Sequence, residues 1–335
     1  MKIFKKLALG LTLVLGFTLG FTGCSQNNKS ENKLAKKQED TKKVIGFVPM
    51  TLNNEYFVMM ANAAKSEAAT NGVSIQVQAG AEHSSAEEQL KIIETMIENK
   101  VSAICVVPSS SEGLSVAVKR AQEAGIPIVN IDTRFDKTLF DKENIKPIPF
   151  IGTDNYEGGK IAGKEALKLF PKGAKTVILN GIEGQQNASD RRNGFYSEVE
   201  NKGFKIVAEQ TANWDVEKAY KATQNILQSN KDLELIFAAN DTMALGALRA
   251  LEEANKKDVA VIGFDGNTEA LNSVLNNGLK ATVAQDPVKM GIEGVKTAIK
   301  LIEGQSTEQS LNTGANIVNK ENAPKYIEYF EKYSK

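Results

Sequence analysis

From Val44 onward the chain alternates short apolar runs with longer amphipathic stretches. Residues 44–50, 73–79, 103–107, 126–131, 148–152, 176–179, 205–208, 235–238, 259–263 and 280–284 are apolar enough to predict strands buried on both faces. The stretches between them carry helical spacing, as in Leu90, Ile93, Met96 and Ile97. Strand, helix, strand at this rhythm means crossover units and mainly parallel sheets. So many strands exceed one comfortable sheet, which predicts an α/β protein of two doubly wound lobes. After Gly304 the pattern gives a loop, one more short run at 315–318 and a terminal amphipathic helix.

The N-terminal pattern is different. Lys2, Lys5 and Lys6 precede an apolar stretch over 7–21, and the run closes on Thr22-Gly23-Cys24. A basic flank, a short apolar core and small residues at its end predict a secretory signal over 1–23, too short and Gly-rich for a permanent span. An ordinary cleaved signal with an incidental cysteine is the plain alternative. Thr22 and Gly23 before Cys24 resemble the lipobox of bacterial lipoproteins, which implies that Cys24 carries the lipid and that the chain works outside the cytoplasm, tethered to the membrane. Phe21 stands where that motif prefers Leu. Residues 24–43 are nearly all polar and charged, with too little apolar surface to fold, and are expected to be a disordered tether.

Composition narrows the chemistry. Lys+Arg and Asp+Glu both number 41, and the signal takes three lysines with it, so the remainder is slightly acidic and lacks an electrostatic footprint for nucleic acid. The two cysteines are Cys24 and Cys105. With Cys24 acylated no disulfide is possible, and Cys105, inside an apolar run, is expected to be a small core residue. The single histidine, His83, falls in a loop before a helical segment and is expected on the surface or in loop packing. One histidine poorly provisions a Ser-His-Asp triad or a zinc site, so no metal, cofactor or enzymatic activity is expected.

In open parallel sheets, ligands bind beyond the carboxyl ends of the strands. Here those ends lead to Asn53, Asn54, Tyr56 and Phe57, to Asp132 and Arg134, to Asn240 and Asp241, to Asp265, and to Gln285 and Asp286. Helix capping explains Asn53, Asn240 and Asp241 without any ligand, but not Tyr56, Phe57 or Arg134. A sugar wants this mixture. Carboxylates accept from its hydroxyls, arginine donates, amides do both, and flat aromatic surfaces cover the C–H faces of the ring. Trp214, the one tryptophan, follows a strand and fits a core role or a ligand platform equally. Gly158–Lys164 has the Gly-x4-Gly-Lys spacing of a phosphate loop, but Glu165 stands where Ser or Thr is needed and the stretch lies in a helical pattern. It is not a nucleotide site.

The segments TLNN at 51–54, GGKIAG at 158–163, NDTMALGALRAL at 240–251 and VIGFDG at 261–266 resemble the ribose/allose-type sugar-binding proteins of bacterial ABC importers, members of the type I periplasmic binding protein family. The resemblance covers Val44 to about Lys320. It implies two lobes joined by three crossovers with sugar between them. The lobes would be 44–153 plus 286–313 and 154–285 plus 314–335, with hinges near 152–154, 285–287 and 312–315. It carries sugar-binding roles onto Asn54, Tyr56, Phe57, Asp132, Arg134, Arg191, Trp214, Asn240, Asp265 and Gln285. Thr133 intervenes before Arg134, and Met50 replaces a serine, where the family pattern differs. The implied partners are a monosaccharide, a permease with a separate ATPase subunit, and the membrane through the lipid; a monomer is expected.

Two other classes share the fold. Lactose-type repressors carry an N-terminal helix-turn-helix, whose place is taken here by the signal and tether. A sensory sugar receptor that presents its ligand to a membrane kinase or chemoreceptor would have the same binding domain. A glycosidase would need Asp132 and Asp265 as an acid–base pair, whereas ligand hydroxyls are expected to make them acceptors.

Overall fold

The computed structural model describes residues 43–334; the signal, Cys24 and nearly all of the tether lie outside the described residues. Five strands joined by four crossover helices build the first half: β1 (Val44–Val48), α1 (Glu55–Thr70), β2 (Ser74–Val77), α2 (Ala86–Glu98), β3 (Ala103–Val106), α3 (Ser115–Glu123), β4 (Ile128–Ile131), α4 (Lys137–Glu143) and β5 (Phe150–Gly152). The second half runs α5 (Asn155–Leu169), β6 (Lys175–Asn180), α6 (Gln186–Val199), β7 (Lys205–Thr211), α7 (Val216–Ser229), β8 (Leu235–Ala238), α8 (Asp241–Glu253), β9 (Ala260–Asp265), α9 (Thr268–Leu275) and β10 (Ala281–Ala284). It is followed by α10 (Pro287–Ile302), β11 (Ser310–Asn312), β12 (Asn316–Val318) and α11 (Ala323–Phe330).

These strands form two six-stranded sheets, ordered β11-β5-β4-β3-β1-β2 and β12-β10-β9-β8-β6-β7. All pairs are parallel except β12 with β10 at an edge. The chain passes between sheets three times, after β5, after β10 and after β11. Helix α10 follows a strand of the second sheet yet packs on α1 and on β3, β4 and β5 of the first. At the crossovers the Asp154 amide donates to Asn312 Oδ1 (3.2 Å), which also accepts from the Gly314 amide (2.9 Å).

Each sheet is covered on both faces, which is why its strands read as unbroken apolar runs. Ile45, Phe47, Cys105, Val129 and Ile131 pack under α1 and α10, while Val48, Ile104, Val106 and Ile128 face α2 and α3. Cys105 is fully buried, its thiol donating to the Gly294 carbonyl. The GGKIAG stretch lies in α5 and serves helix packing: a Cβ on Gly159 would come within 2.2 Å of the Arg191 carbonyl, and one on Gly194 within 2.0 Å of the Tyr156 carbonyl. Small residues on both helices let α5 and α6 touch backbone to backbone, which fixes where Arg191 starts.

Two elements were missed by the periodicity. Helix α4 buries only Phe140, and β11 is a three-residue edge strand with exposed ends. Neither carries enough apolar residues to set a period. Among the described residues no helix is long and apolar enough to cross a membrane.

Candidate functional site

A cavity lies between the two sheets, beyond the carboxyl ends of their strands. Its wall comprises Asn54, Tyr56, Phe57, Asp132, Arg191, Trp214, Asn240, Asp265 and Gln285, together with Met50, His83 and Asn187. Nine of the ten expected binding residues are thus brought together. Arg134 is not. Its guanidinium lies 3.5 Å over the Phe150 ring and donates to Ser310 Oγ (3.2 Å), on the exposed side of the loop after β4. Thr133 takes the interior position instead, fully buried, with its hydroxyl donating to Asp132 Oδ2 (3.0 Å). The extra residue turns the arginine to the other side of the chain.

The first sheet contributes an acceptor and aromatic surfaces. Asn54 caps α1, its Oδ1 accepting from the Tyr56 amide (3.0 Å), and this start of the helix delivers Tyr56 and Phe57 to the wall. Their rings meet edge to face at 5.2 Å. The Tyr56 hydroxyl donates to Asp132 Oδ1 (2.8 Å), so both oxygens of Asp132 already accept one protein bond. Burial raises the Asp132 pKa; Arg191 and the two hydroxyls oppose the shift. His83 stands at the rim, its ring 5.8 Å from that of Phe57 and its Nε2 3.5 Å from the Asn54 amide nitrogen. Burial lowers its pKa to about 4, so the imidazole is neutral at pH 7. The expectation of a surface or loop-packing histidine therefore missed its place in the wall; only its position in a loop after a strand end hinted at it.

The second sheet contributes an ion pair and a tryptophan. Arg191, 3% exposed, donates through Nε to Asn155 Oδ1 (2.8 Å) and through Nη1 to the Ala239 carbonyl (2.7 Å) and Asp265 Oδ1 (3.1 Å). Its guanidinium stacks 3.9 Å over Phe264. Asp265 also accepts from the Gln285 amide (2.8 Å), and burial, opposed by Arg191, pushes its pKa up to about 6. Gln285 Oε1 is buried with no hydrogen-bond partner among the described residues, an acceptor a ligand hydroxyl would satisfy. Asn240 caps α8 through Oδ1, accepting from the Met243 amide (2.9 Å); this bond does not engage its amide nitrogen. Capping and wall-lining are therefore compatible in one side chain.

Asp241, one residue on, does neither job. Its carboxylate accepts from the Gly266 and Asn267 amides (2.7 and 2.8 Å) and from the Thr282 hydroxyl (2.6 Å), clamping the loop that carries Asp265. Burial raises its pKa to about 8. Asp132, Trp214 and Asp265 all have positive φ (63°, 61° and 120°), a backbone region disfavoured for residues with a Cβ. Such strain, of order 1–3 kcal/mol per residue, persists where the surroundings fix it and clusters at functional sites. Trp214 also needs Gly181, since a Cβ there would lie 1.9 Å from the indole.

Contacts across the cleft close the cavity. The Thr268 amide donates to Glu55 Oε2 (2.9 Å), Asn187 Nδ2 to Thr133 Oγ1 (3.3 Å), and Gln185 Nε2 to the Ser109 carbonyl (2.7 Å). Among the described residues no group of three or more His, Cys, Asp or Glu side chains comes together that could hold a metal ion.

Two doubly wound sheets, three passes of the chain between them and a buried polar-aromatic cavity in the cleft define a two-lobed binding protein. Residues 45–306 match the model of the periplasmic binding protein domain, and the chain belongs to that family. It is 35% identical over 317 residues to the ribose import binding protein of Escherichia coli, covering 95% of this chain and 99% of that protein. The D-allose-binding periplasmic protein of the same organism is 35% identical over 252 residues, covering 74% of this chain and 81% of that protein. Among solved structures, an ABC transporter solute-binding protein from Actinobacillus succinogenes with bound D-allose superimposes with a TM-score of 0.82 at 34% identity, covering 85% of this chain and all of that one. These relatives are binding proteins, and so is this chain; it is not an enzyme.

Proposed function

We propose that this chain is an extracytoplasmic sugar receptor that captures a monosaccharide of the ribose or allose type and delivers it to the permease of an ABC importer. The supporting observation is the wall itself: two carboxylates, one guanidinium and four amides lie among Phe57, Tyr56 and Trp214 in the cavity between the sheets. Hydroxyl groups are donors and acceptors at once, so each can pair with such a wall, and the ring faces find flat apolar partners. Asp132, Asp265 and Arg191 leave one negative charge in excess, which suits a neutral sugar and repels an anionic one. The similarity to ribose- and allose-binding relatives points the same way.

Sugar bonded to both lobes favours the closed arrangement, because only there are all its hydroxyls paired. The lobes we assign are 44–153 plus 286–313 and 154–285 plus 314–335, with the three crossovers as hinges. We further assign Cys24 as the lipid attachment point and the protein as a monomer that docks on a permease whose ATPase is a separate subunit. A thermal-shift screen against D-ribose, D-allose and a panel of other monosaccharides tests the reading. A sugar at 100 times its Kd adds about 2.7 kcal/mol to stability. No shift with any monosaccharide would refute it.

A further inference from the structure

Gln185 sits immediately before α6, at a helix N-cap where Ser, Thr, Asn or Asp is the ordinary choice, and its side chain makes no capping bond. It is nevertheless 1% exposed. Its amide is spent elsewhere. Oε1 accepts from the Trp214 indole N–H (2.6 Å), and Nε2 donates across the cleft to the Ser109 carbonyl (2.7 Å). An indole nitrogen can only donate and a carbonyl can only accept, so this amide has one orientation that serves both. Ser109 is itself pinned: its amide donates to Gln89 Oε1 (2.8 Å), and Gln89 Nε2 donates to the Val107 carbonyl (2.7 Å). The cross-cleft acceptor is therefore fixed on the first sheet, and the donor on the second is aimed by the tryptophan.

The tryptophan in turn has reason to need holding. Asn213 and Trp214 are consecutive non-glycine residues at positive φ (54° and 61°), and the indole fits only because Gly181 has no Cβ. The bond to Gln185 opposes relaxation of that strained turn.

We propose that Gln185 is a positioning residue that couples the Trp214 ring surface to closure of the cleft: the indole in its sugar-facing place aims the Gln185 amide at Ser109, and the Ser109 bond holds the indole there. Sugar seated on Trp214 and lobes held shut then reinforce each other. The inference rests on the sugar-binding reading proposed above.

Trp214 is the only tryptophan, so its fluorescence reports this site alone. Stopped-flow release of D-ribose or D-allose, whichever binds wild type, separates the outcomes. Gln185→Ala should release sugar on the order of 10-fold faster, with the on-rate little changed, as two hydrogen bonds made in the closed state are lost. Gln185→Glu keeps the acceptor for the indole but sets an acceptor against the Ser109 carbonyl, and should release as fast. Trp214→Phe keeps a ring and removes the N–H; by calorimetry, adding Gln185→Ala to it should weaken binding less than Gln185→Ala does alone. The sugar-free melting temperature should stay at the wild-type value in Gln185→Glu, which keeps the acceptor for the indole. Wild-type release rates in both, or a sugar-free melting temperature of Gln185→Glu that falls in step with affinity, would overturn the coupling. Binding of neither sugar by the wild type would overturn the functional reading itself, and the coupling with it.

Discussion

Replacing Arg191 by Met tests the electrostatic centre of the site. The guanidinium is buried and makes three short bonds, to Asn155, to the Ala239 carbonyl and to Asp265. Methionine fills much of the volume but leaves Asn155 Oδ1 and the Ala239 carbonyl without this donor, at about 1–3 kcal/mol each if nothing else reaches them. It also strips Asp265 of its counter-charge, and removing one partner of a buried pair costs about 3–5 kcal/mol. One escape limits the damage. Burial already pushes the Asp265 pKa up to about 6 in the intact site, so without Arg191 it can take up a proton, at about 1.4 kcal/mol for each unit by which the working pH exceeds its unfolded value of about 4. The expected loss in urea denaturation is therefore about 3–5 kcal/mol at pH 7, and smaller at pH 5. Adding Asp265→Asn removes the unpaired charge, and the double variant should regain a large part of that stability. Calorimetry should find binding lost in both variants, because stability and recognition use the same pair for different ends. A loss below about 1 kcal/mol at pH 7, or no recovery in the double variant, would refute this account of the pair.

Gly181→Ala sets a Cβ 1.9 Å from the indole, so Trp214 must move; sugar affinity should fall and the tryptophan emission should shift, and unchanged binding would place the indole outside the recognition surface. Two pH trends should oppose each other. On the proposed reading sugar hydroxyls donate to ionised Asp265, so affinity should weaken as pH falls through about 6. The folded pKa values of Asp265 and Asp241, about 6 and about 8, are raised from an unfolded value of about 4. Their contribution to stability is therefore full below pH 4 and lost as pH rises through those values, and Asp241→Asn should flatten the decline of the sugar-free melting temperature between pH 4 and 8. With one negative charge in excess in the wall, phosphorylated sugars and uronic acids should bind at least 100-fold more weakly than the neutral sugar, and comparable binding would contradict the charge count. Cys24→Ser should release the protein from the membrane fraction or leave it unprocessed; a variant of mature size still on the membrane would rule out that anchor.

Much of the site was legible because the fold writes it in one place. In a parallel sheet each strand is an apolar run, and whatever follows it faces the cleft, so Asn54, Asp132, Trp214, Asn240, Asp265 and Gln285 could be read off strand ends. What could not be read depends on distance in space without a mark in sequence. Arg134 sits two residues past Asp132, and only the chain's turn decides that Thr133 goes inward and the arginine onto Phe150. His83 follows β2 through a loop whose path no periodicity fixes, and its part in the wall comes from lying against Phe57. The bond from Gln185 to Ser109 joins residues 76 apart in sequence, through a glutamine that looks like a poor helix cap. β11 and α4 were invisible for a simpler reason: three and seven residues are too few to show a period.

Titration calorimetry of the wild type and of Asp265→Asn with D-ribose and D-allose tests the central claim most directly. The wild type should bind one of these sugars at one site per chain, and Asp265→Asn should lose at least about 10-fold in affinity, since charge-assisted hydrogen bonds contribute roughly 1.5–3 kcal/mol each. Equal affinities in the two proteins would put the sugar elsewhere than the cavity between the sheets, and heat from neither sugar in the wild type would contradict its assignment to the ribose and allose class.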